Sequence, residues 1–403
     1  MVMHFWVLFH PDSENYRGAQ ALEPKTSAFR FIRGFHHPAA GLESSRQPPC
    51  SAKTAPRAVT EVLSTHAPRF PSWTSAKILS GTCGTCYAGE VRADDLPDPS
   101  VLNLTRYETS NGGERWFCST CGAHALMRAT ENGPWHLATG LWDRTEGLLK
   151  WAGCKSIRET LDGGVSVRLG DVMDQGRKER GLQSLEPHDG DGTSVLGDTL
   201  GEFPRPKNED TGEERLKASC KCGGVKFYIT RPTTASKRVR SPFPDLMVPY
   251  CTGASSANPE NETWWLRDND TKYMAGLCMC NSCRLASGFE IQTWAFVPKC
   301  NIFQEDGREM HYNMGTIKTY LSSDGIWREF CGVCGATVFW HCDERPDLVD
   351  VSVGLFDPEE GARAEGWLDW WTERVSFEEM AVSKGLARDL ADGLRIWGRE
   401  RKA

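Results

Sequence analysis

Hydrophobic positions along this chain alternate in short runs more often than they recur at helical spacing. Val225-Lys-Phe-Tyr-Ile-Thr230 alternates as a strand with one buried face does. Glu290-Ile-Gln-Thr-Trp-Ala-Phe-Val297, Thr337-Val-Phe-Trp340 and Leu348-Val-Asp-Val-Ser-Val353 are rich in β-branched and aromatic residues and bounded by Gly or Pro. The pattern predicts a mainly β chain. Helical character is confined to the tail from about Pro358 to Lys402, where Leu386, Leu390, Leu394 and Trp397 fall on one face. That stripe predicts packing, and Trp367-Leu-Asp-Trp-Trp371 predicts a hydrophobic clasp on a sheet.

Two stretches carry neither period. Residues 1–75 scatter Pro, Ser, Arg and Ala with few acids, which reads as a disordered extension or a misassigned start of the coding sequence. An Arg-rich, acid-poor mitochondrial transit peptide is a third reading of the same composition. Residues 174–215 are charged and rich in Gly and Pro, too polar to offset their ordering entropy by burial, and read as an interdomain linker.

Either side of that linker the chain repeats itself. Tyr107, Ser110, Arg115, Phe117, Cys118 and Cys121 fall in the same register as Tyr320, Ser323, Arg328, Phe330, Cys331 and Cys334. Further on, Gly140-Leu-Trp-Asp143 echoes Gly354-Leu-Phe-Asp357 with one residue of slippage. A repeat of this length predicts two tandem copies of one domain, over 76–173 and 216–358, with 359–403 as a C-terminal extension.

Charge narrows the function. A formal net charge of −7 over 403 residues, with no Lys/Arg stripe, argues against a nucleic-acid partner. No apolar run approaches the roughly 18 residues of a membrane span, so no membrane partner is expected. The apolar opening lacks a charged n-region and a small-residue cleavage site, so a cytoplasmic protein is expected. The 16 cysteines are clustered and no secretory signal precedes them, which favours metal ligation over a disulfide framework.

Of the nine cysteines from Cys220 to Cys334, seven fall in short steps, as Cys220-Lys-Cys222, Cys278-Met-Cys280-Asn-Ser-Cys283 and Cys331-Gly-Val-Cys334. Such short steps suit a shared cation better than disulfides. Zinc prefers thiolates, four closing a tetrahedral site and three leaving a position open. Seven is four plus three.

The order C-x-C-Gly, C-x-C-x-x-C-Arg with Ser-Gly behind it, Tyr-x-Ser-Ser, Arg-x-Phe-C-x-x-C-Gly and Gly-x-aromatic-Asp resembles the CENP-V/GFA family, named for glutathione-dependent formaldehyde-activating enzyme. The resemblance covers about 216–358 fully and the first copy in part. It implies an Mss4-like fold of zinc-stapled antiparallel sheets. It implies that Cys220, Cys222, Cys331 and Cys334 hold a structural zinc, and that Cys278, Cys280 and Cys283 hold a second, open one. It also implies a carbon–sulfur lyase-type enzyme resembling S-(hydroxymethyl)glutathione synthase, joining a small thiol such as glutathione to formaldehyde or a similar small aldehyde. Arg284, beside the open cluster, is a candidate to steer a substrate carboxylate or is a strand or surface charge, whereas Arg328 is expected to brace a loop. The family's centromere-protein branch supplies the alternative, a non-catalytic zinc module for structure or protein binding.

The first copy departs from the pattern. Cys83 aligns with Cys278, or Cys83 and Cys86 align with Cys280 and Cys283, and neither register keeps three open-site thiols. Either Cys83, Cys86, Cys118 and Cys121 hold one zinc as a four-cysteine site, or this copy is a metal-poor scaffold or has lost a segment through a misassigned gene. No catalysis is expected from it. Cys251, Cys300 and Cys342 read as small hydrophobes, and His341 as a strand histidine with its hydrogen bonds satisfied.

Overall fold

The computed structural model describes residues 80–83, 87–91, 96, 99, 102–110, 112–145, 162, 164–165, 212–244, 247–249 and 258–402. The expectations for residues 1–75 and for nearly all of 174–215 lie outside these. The described chain is mainly β, as the alternating pattern predicts. Among the described residues no helix is long and apolar enough to cross a membrane.

The first half contributes β1 (Tyr87–Val91), β2 (Leu104–Glu108), β3 (Glu114–Cys118), β4 (His124–Arg128) and β5 (Trp135–Ala138). They form one antiparallel sheet in the order β1-β5-β4-β3-β2. The second half begins with β6 (Arg215–Ser219), β7 (Lys226–Thr230), β8 (Leu266–Arg267) and β9 (Lys272–Cys278). Helix α1 (Asn281–Ser287) follows, then β10 (Gln292–Pro298), β11 (Ile302–Gln304) and β12 (Ile317–Ser323). The hairpin of β13 (Ile326–Cys331) and β14 (Thr337–Cys342) leads to β15 (Leu348–Ser352), β16 (Leu368–Trp370) and helix α2 (Lys384–Glu400). The main sheet runs β12-β13-β14-β15-β10-β9-β16, with β8 also paired to β9, while β11-β7-β6 form a small second sheet.

Burial follows position in the sheet. Central β10 is buried at every residue, which is why Gln292-Thr-Trp-Ala-Phe-Val-Pro298 reads as a nearly unbroken apolar run. Edge strand β12 is partly exposed along its length. On α2, Leu386, Leu390, Leu394 and Trp397 are buried on the predicted face. Two elements depart from the sequence reading. The tail is helical only from Lys384, and its Trp-rich segment is a strand, β16, lying parallel to β9 at the sheet edge. Helix α1 lies outside the tail, where no helix was expected, because its seven residues are too few to show an apolar stripe.

The strand order of the first sheet recurs in the second, β1-β5-β4-β3-β2 against β10-β15-β14-β13-β12, and so does its register. Tyr87 faces Ala138 where Trp294 faces Ser352, and Tyr107 faces Arg115 where Tyr320 faces Arg328. The bulge between Trp116 and Phe117 has its counterpart between Glu329 and Phe330. After each bulge comes the same tight turn, Gly122 N–H donating to Cys118 O and Gly335 N–H to Cys331 O, both at 2.9 Å.

Candidate metal centre

Two groups of cysteines converge among the described residues, one of Cys220, Cys222, Cys331 and Cys334 and one of Cys278, Cys280 and Cys283. Within each group the ligand atoms lie within 4.8 Å of one another. The four-cysteine group joins the turn between β6 and β7 to the turn between β13 and β14, so it ties the small sheet to the main one. Cys222 Sγ stands 3.5 Å from Cys220 Sγ and 3.4 Å from Cys331 Sγ. A tetrahedron with metal–sulfur bonds of about 2.3 Å has edges of about 3.8 Å, so a slight expansion of this cluster accommodates zinc. Donors already point at the sulfurs: Gly224 N–H at Cys222 (3.4 Å), Val225 N–H at Cys220 (3.3 Å) and the Thr316 hydroxyl near Cys331 (3.0 Å). Such outer partners orient thiolate ligands and stabilise their charge.

Electrostatics within this group is uneven. Hydrogen bonding with Cys334 brings the Cys222 thiol down to about 7, whereas hydrogen bonding with Cys331 and burial push Cys220 up to about 12. Four thiols packed this closely cannot all ionise without a cation, and a bound divalent metal displaces their protons. Tyr107 of the first half reaches the same place: burial, then the charge of Cys334 and its three neighbours, raise its phenol to about 12.

The three-cysteine group is built by the end of β9 and the start of α1. Cys278 closes the strand. Cys280 caps the helix, its sulfur accepting the Cys283 N–H at 3.2 Å, and the helix ends at Gly288 in the left-handed conformation (φ 84°). All three thiols are buried. Hydrogen bonding with Cys278 and Cys283 holds Cys280 well below the ordinary thiol value, while Cys278 is pushed well above it by the same sulfur contacts. No His, Asp or Glu atom joins this group among the described residues. Three buried sulfurs and no fourth ligand fit a zinc with an open position.

The two arginines make different contacts around the three-cysteine group. Arg284 is buried and makes no hydrogen bond to the thiols, donating from Nη1 to the carbonyls of Gly140 and Trp142 (3.0 Å for the latter) in the first half. Adjacent helix positions point about 100° apart, so following Cys283 does not place Arg284 beside its sulfur. The hydrogen bonds of Arg284 run to the first half, and its steering of a substrate carboxylate stays an expectation of the sequence. Arg328 is the arginine at the site, with Nη1 and Nη2 lying 3.6 and 3.7 Å from Cys283 Sγ and Nη2 3.3 Å from Ser282 Oγ. Burial would lower its pKa, but the charges of Cys283 and Cys280 outweigh that and raise it. Its place across the sheet from the cluster, 45 residues from Cys283, left only the pairing of Arg-x-Phe-Cys with Tyr320 as a sequence signal.

The described residues of the first half hold three of the cysteines of the four-cysteine site that the sequence suggests as one reading. Cys83, Cys118 and Cys121 form no common group among the described residues, and Cys86 lies outside them. Cys83 belongs to the core of the second half, its N–H bonded to Thr293 Oγ1 at 3.2 Å, whereas Cys118 packs in a small cluster with Ala123 and Cys121. Neither sequence register for Cys83 is the structural one. Gly81 (φ 81°) accepts the Gly354 N–H at 3.1 Å as Gly288 (φ 84°) accepts the Gly140 N–H at 3.0 Å. Ser80 bonds Thr82 N–H as Ser287 bonds Phe289 N–H. Gly81 is thus the counterpart of Gly288, not of Gly276 within β9, and Cys83 is the counterpart of Glu290. Of the remaining residues, His341 lies on β14 with Nε2 2.9 Å from Glu329 Oε1, Cys342 is buried, Cys300 is exposed, and Cys251 is outside the described residues.

None of the curated proteins compared matches this chain. Residues 266–374, from β8 to just beyond β16, match the sequence model of the family described as glutathione-dependent formaldehyde-activating enzyme, and that stretch holds Cys278, Cys280, Cys283, Arg328, Cys331 and Cys334.

Proposed function

We propose that the second half is a zinc-dependent enzyme that forms and breaks a carbon–sulfur bond between a thiol such as glutathione and formaldehyde or a similar small aldehyde. The observation that carries this reading is the separate three-cysteine group, complete but for a fourth ligand, inside the stretch that matches the formaldehyde-activating family. Cys220, Cys222, Cys331 and Cys334 would hold the structural zinc, and Cys278, Cys280 and Cys283 the second. Zinc at the second group would supply an open position at which a thiol becomes thiolate near neutral pH. Arg328 sets a buried positive charge against Cys283, which offsets the negative charge of three thiolates and of an incoming fourth. In the forward direction the thiol sulfur bonds to the aldehyde carbon, the carbonyl π pair moves to oxygen, and that oxygen takes the proton the thiol gave up. The recurrent strand order and register support the companion reading, that residues 76–173 are a divergent tandem copy, and the lack of a common cysteine group among its described residues supports its being non-catalytic.

The test is adduct formation from glutathione and formaldehyde by the full zinc-loaded chain, followed by NMR, with Cys278→Ser and Cys280→Ser as variants. Acceleration by the parent and its loss in both variants are expected. Equal turnover in metal-replete variants would sink the mechanism. A cobalt-substituted protein whose visible spectrum ignores added glutathione would point to the non-catalytic zinc module instead.

A further inference from the structure

We propose that the first half is a fixed platform for the metal-bearing helix α1, and that Arg284 is the positioning residue through which it acts. The proposal rests on the metal-site reading above, but not on the thiol–aldehyde chemistry.

The two halves meet through an isologous face, the same patch used from both sides. Gly140 N–H bonds Gly288 O, and its mate is Gly354 N–H on Gly81 O. A Cβ on Gly288 would overlap the backbone of His124, and one on Gly81 would overlap the equivalent backbone of Thr337. Phe117 lies over Gly335 and Phe330 over Gly122, the two rings meeting edge to face at 6.5 Å. His124 stacks on Phe289 with centroids 5.3 Å apart.

Chemistry breaks the symmetry. Counting back from Gly81 by the interval that separates Gly288 from Cys278, Cys280 and Cys283 reaches Pro71, Trp73 and Ala76 in the sequence. None can ligate a metal. One half therefore carries thiols at these positions and the other, by its sequence, does not.

The contacts across the face converge on α1. Its C-terminal glycine is pinned by Gly140 N–H, the next residue, Phe289, is stacked on His124, and Arg284 binds two carbonyls of the first half. Burying a guanidinium is costly, and here Nη1 alone makes both bonds while Nε and Nη2 are buried without a hydrogen-bond partner among the described residues, so the first half holds Arg284 in place against that cost. Both acceptors lie in the turn after β5, so the orientation of α1 about its axis, and with it the direction of Cys280 and Cys283, is set from outside its own domain.

The experiment uses the full chain loaded with cadmium or zinc. Cadmium NMR separates four-thiolate from three-thiolate sites, and a chelator gives the release rate of each. In Arg284→Met, release from the three-cysteine group should quicken up to about 10-fold, the low end of what losing a partner bonded directly to a ligand costs, with the four-cysteine group unchanged. Arg284→Lys should restore part of the difference. A residue that merely braced the fold would lower the melting temperature and leave the two release rates in the parental ratio. That ratio unchanged in folded Arg284→Met would overturn the proposal. Should Arg284→Met fail to fold, Arg284→Lys and His124→Ala decide, since selective loss from the three-cysteine group is expected in each and its absence from both refutes the idea. Selective metal loss in a protein without thiol–aldehyde turnover would uphold the platform and reject the proposed reaction.

Discussion

Replacing Arg328 by methionine removes a buried cation from the three-cysteine group while keeping much of its length and apolar stem. The guanidinium makes two contacts to Cys283 Sγ, at 3.6 and 3.7 Å, and one to Ser282 Oγ at 3.3 Å. A hydrogen bond to a charged group is worth about 1.5–3 kcal/mol net, and every 1.4 kcal/mol is about tenfold in an equilibrium constant. Losing the pair on one thiolate should weaken metal binding there about 10–100-fold, the span seen when outer-sphere partners are removed. Methionine leaves no unpaired donor behind, and Ser282 keeps its contact with Cys280 Sγ at 3.4 Å, so the fold should survive. Chelator competition on the zinc-loaded full chain reads the affinity, with the four-cysteine group as internal standard. Arg328→Lys should fall between parent and Arg328→Met, because it keeps the charge and loses the fork. An Arg328→Met protein that binds both metals as tightly as the parent would show that the thiolates do not depend on this charge.

Two further outcomes follow from the geometry. Gly288→Ala should destabilise the chain by well over the roughly 1–2 kcal/mol that a left-handed conformation costs an L-residue, because its Cβ also overlaps the His124 backbone. Gly112→Ala (φ 78°, nothing within 4 Å of the new Cβ) should pay the conformational cost alone, and equal losses in denaturant melts of the two would refute the close approach. Asp369 on β16 accepts from Arg267 and Arg401, and although burial works against it these bonds hold its pKa below 3.8. Its contribution is therefore complete above the unfolded carboxylate value and is lost as pH falls through the lowered one. Asp369→Asn should flatten that part of the acid limb of the stability curve, and an unchanged limb would contradict the assignment.

What the sequence made legible depended on how local each signal was. The C-x-C and C-x-x-C steps announced both thiol groups, because ligands two or three residues apart must share a turn. Strand pairing was legible in the repeat, since Tyr107 to Ala123 and Tyr320 to Ala336 keep one hairpin and one bulge in register. Helix α1 escaped because Asn281-Ser-Cys-Arg-Leu-Ala-Ser287 takes its stability from the Cys280 cap, the Gly288 terminus and packing on the first half, none of which writes a periodic stripe.

The misplacement of Cys83 and the overlooked contact of Arg328 with Cys283 share a cause. Both readings let cysteines set the ruler, aligning Cys83 by its sulfur and assigning Arg284 by adjacency to Cys283. The marker that survives in the first half is conformational: a serine that bonds two residues ahead, then a glycine with positive φ pressed against the other half's backbone. A thiol can be lost from a divergent domain without disturbing its packing. The Ser-Gly pair at Ser80–Gly81 and Ser287–Gly288 cannot, because any Cβ at the glycine collides with the partner backbone. Conformational requirement, rather than chemistry, is therefore the measure that aligns the halves, and it leaves the open thiol site unmatched in the first.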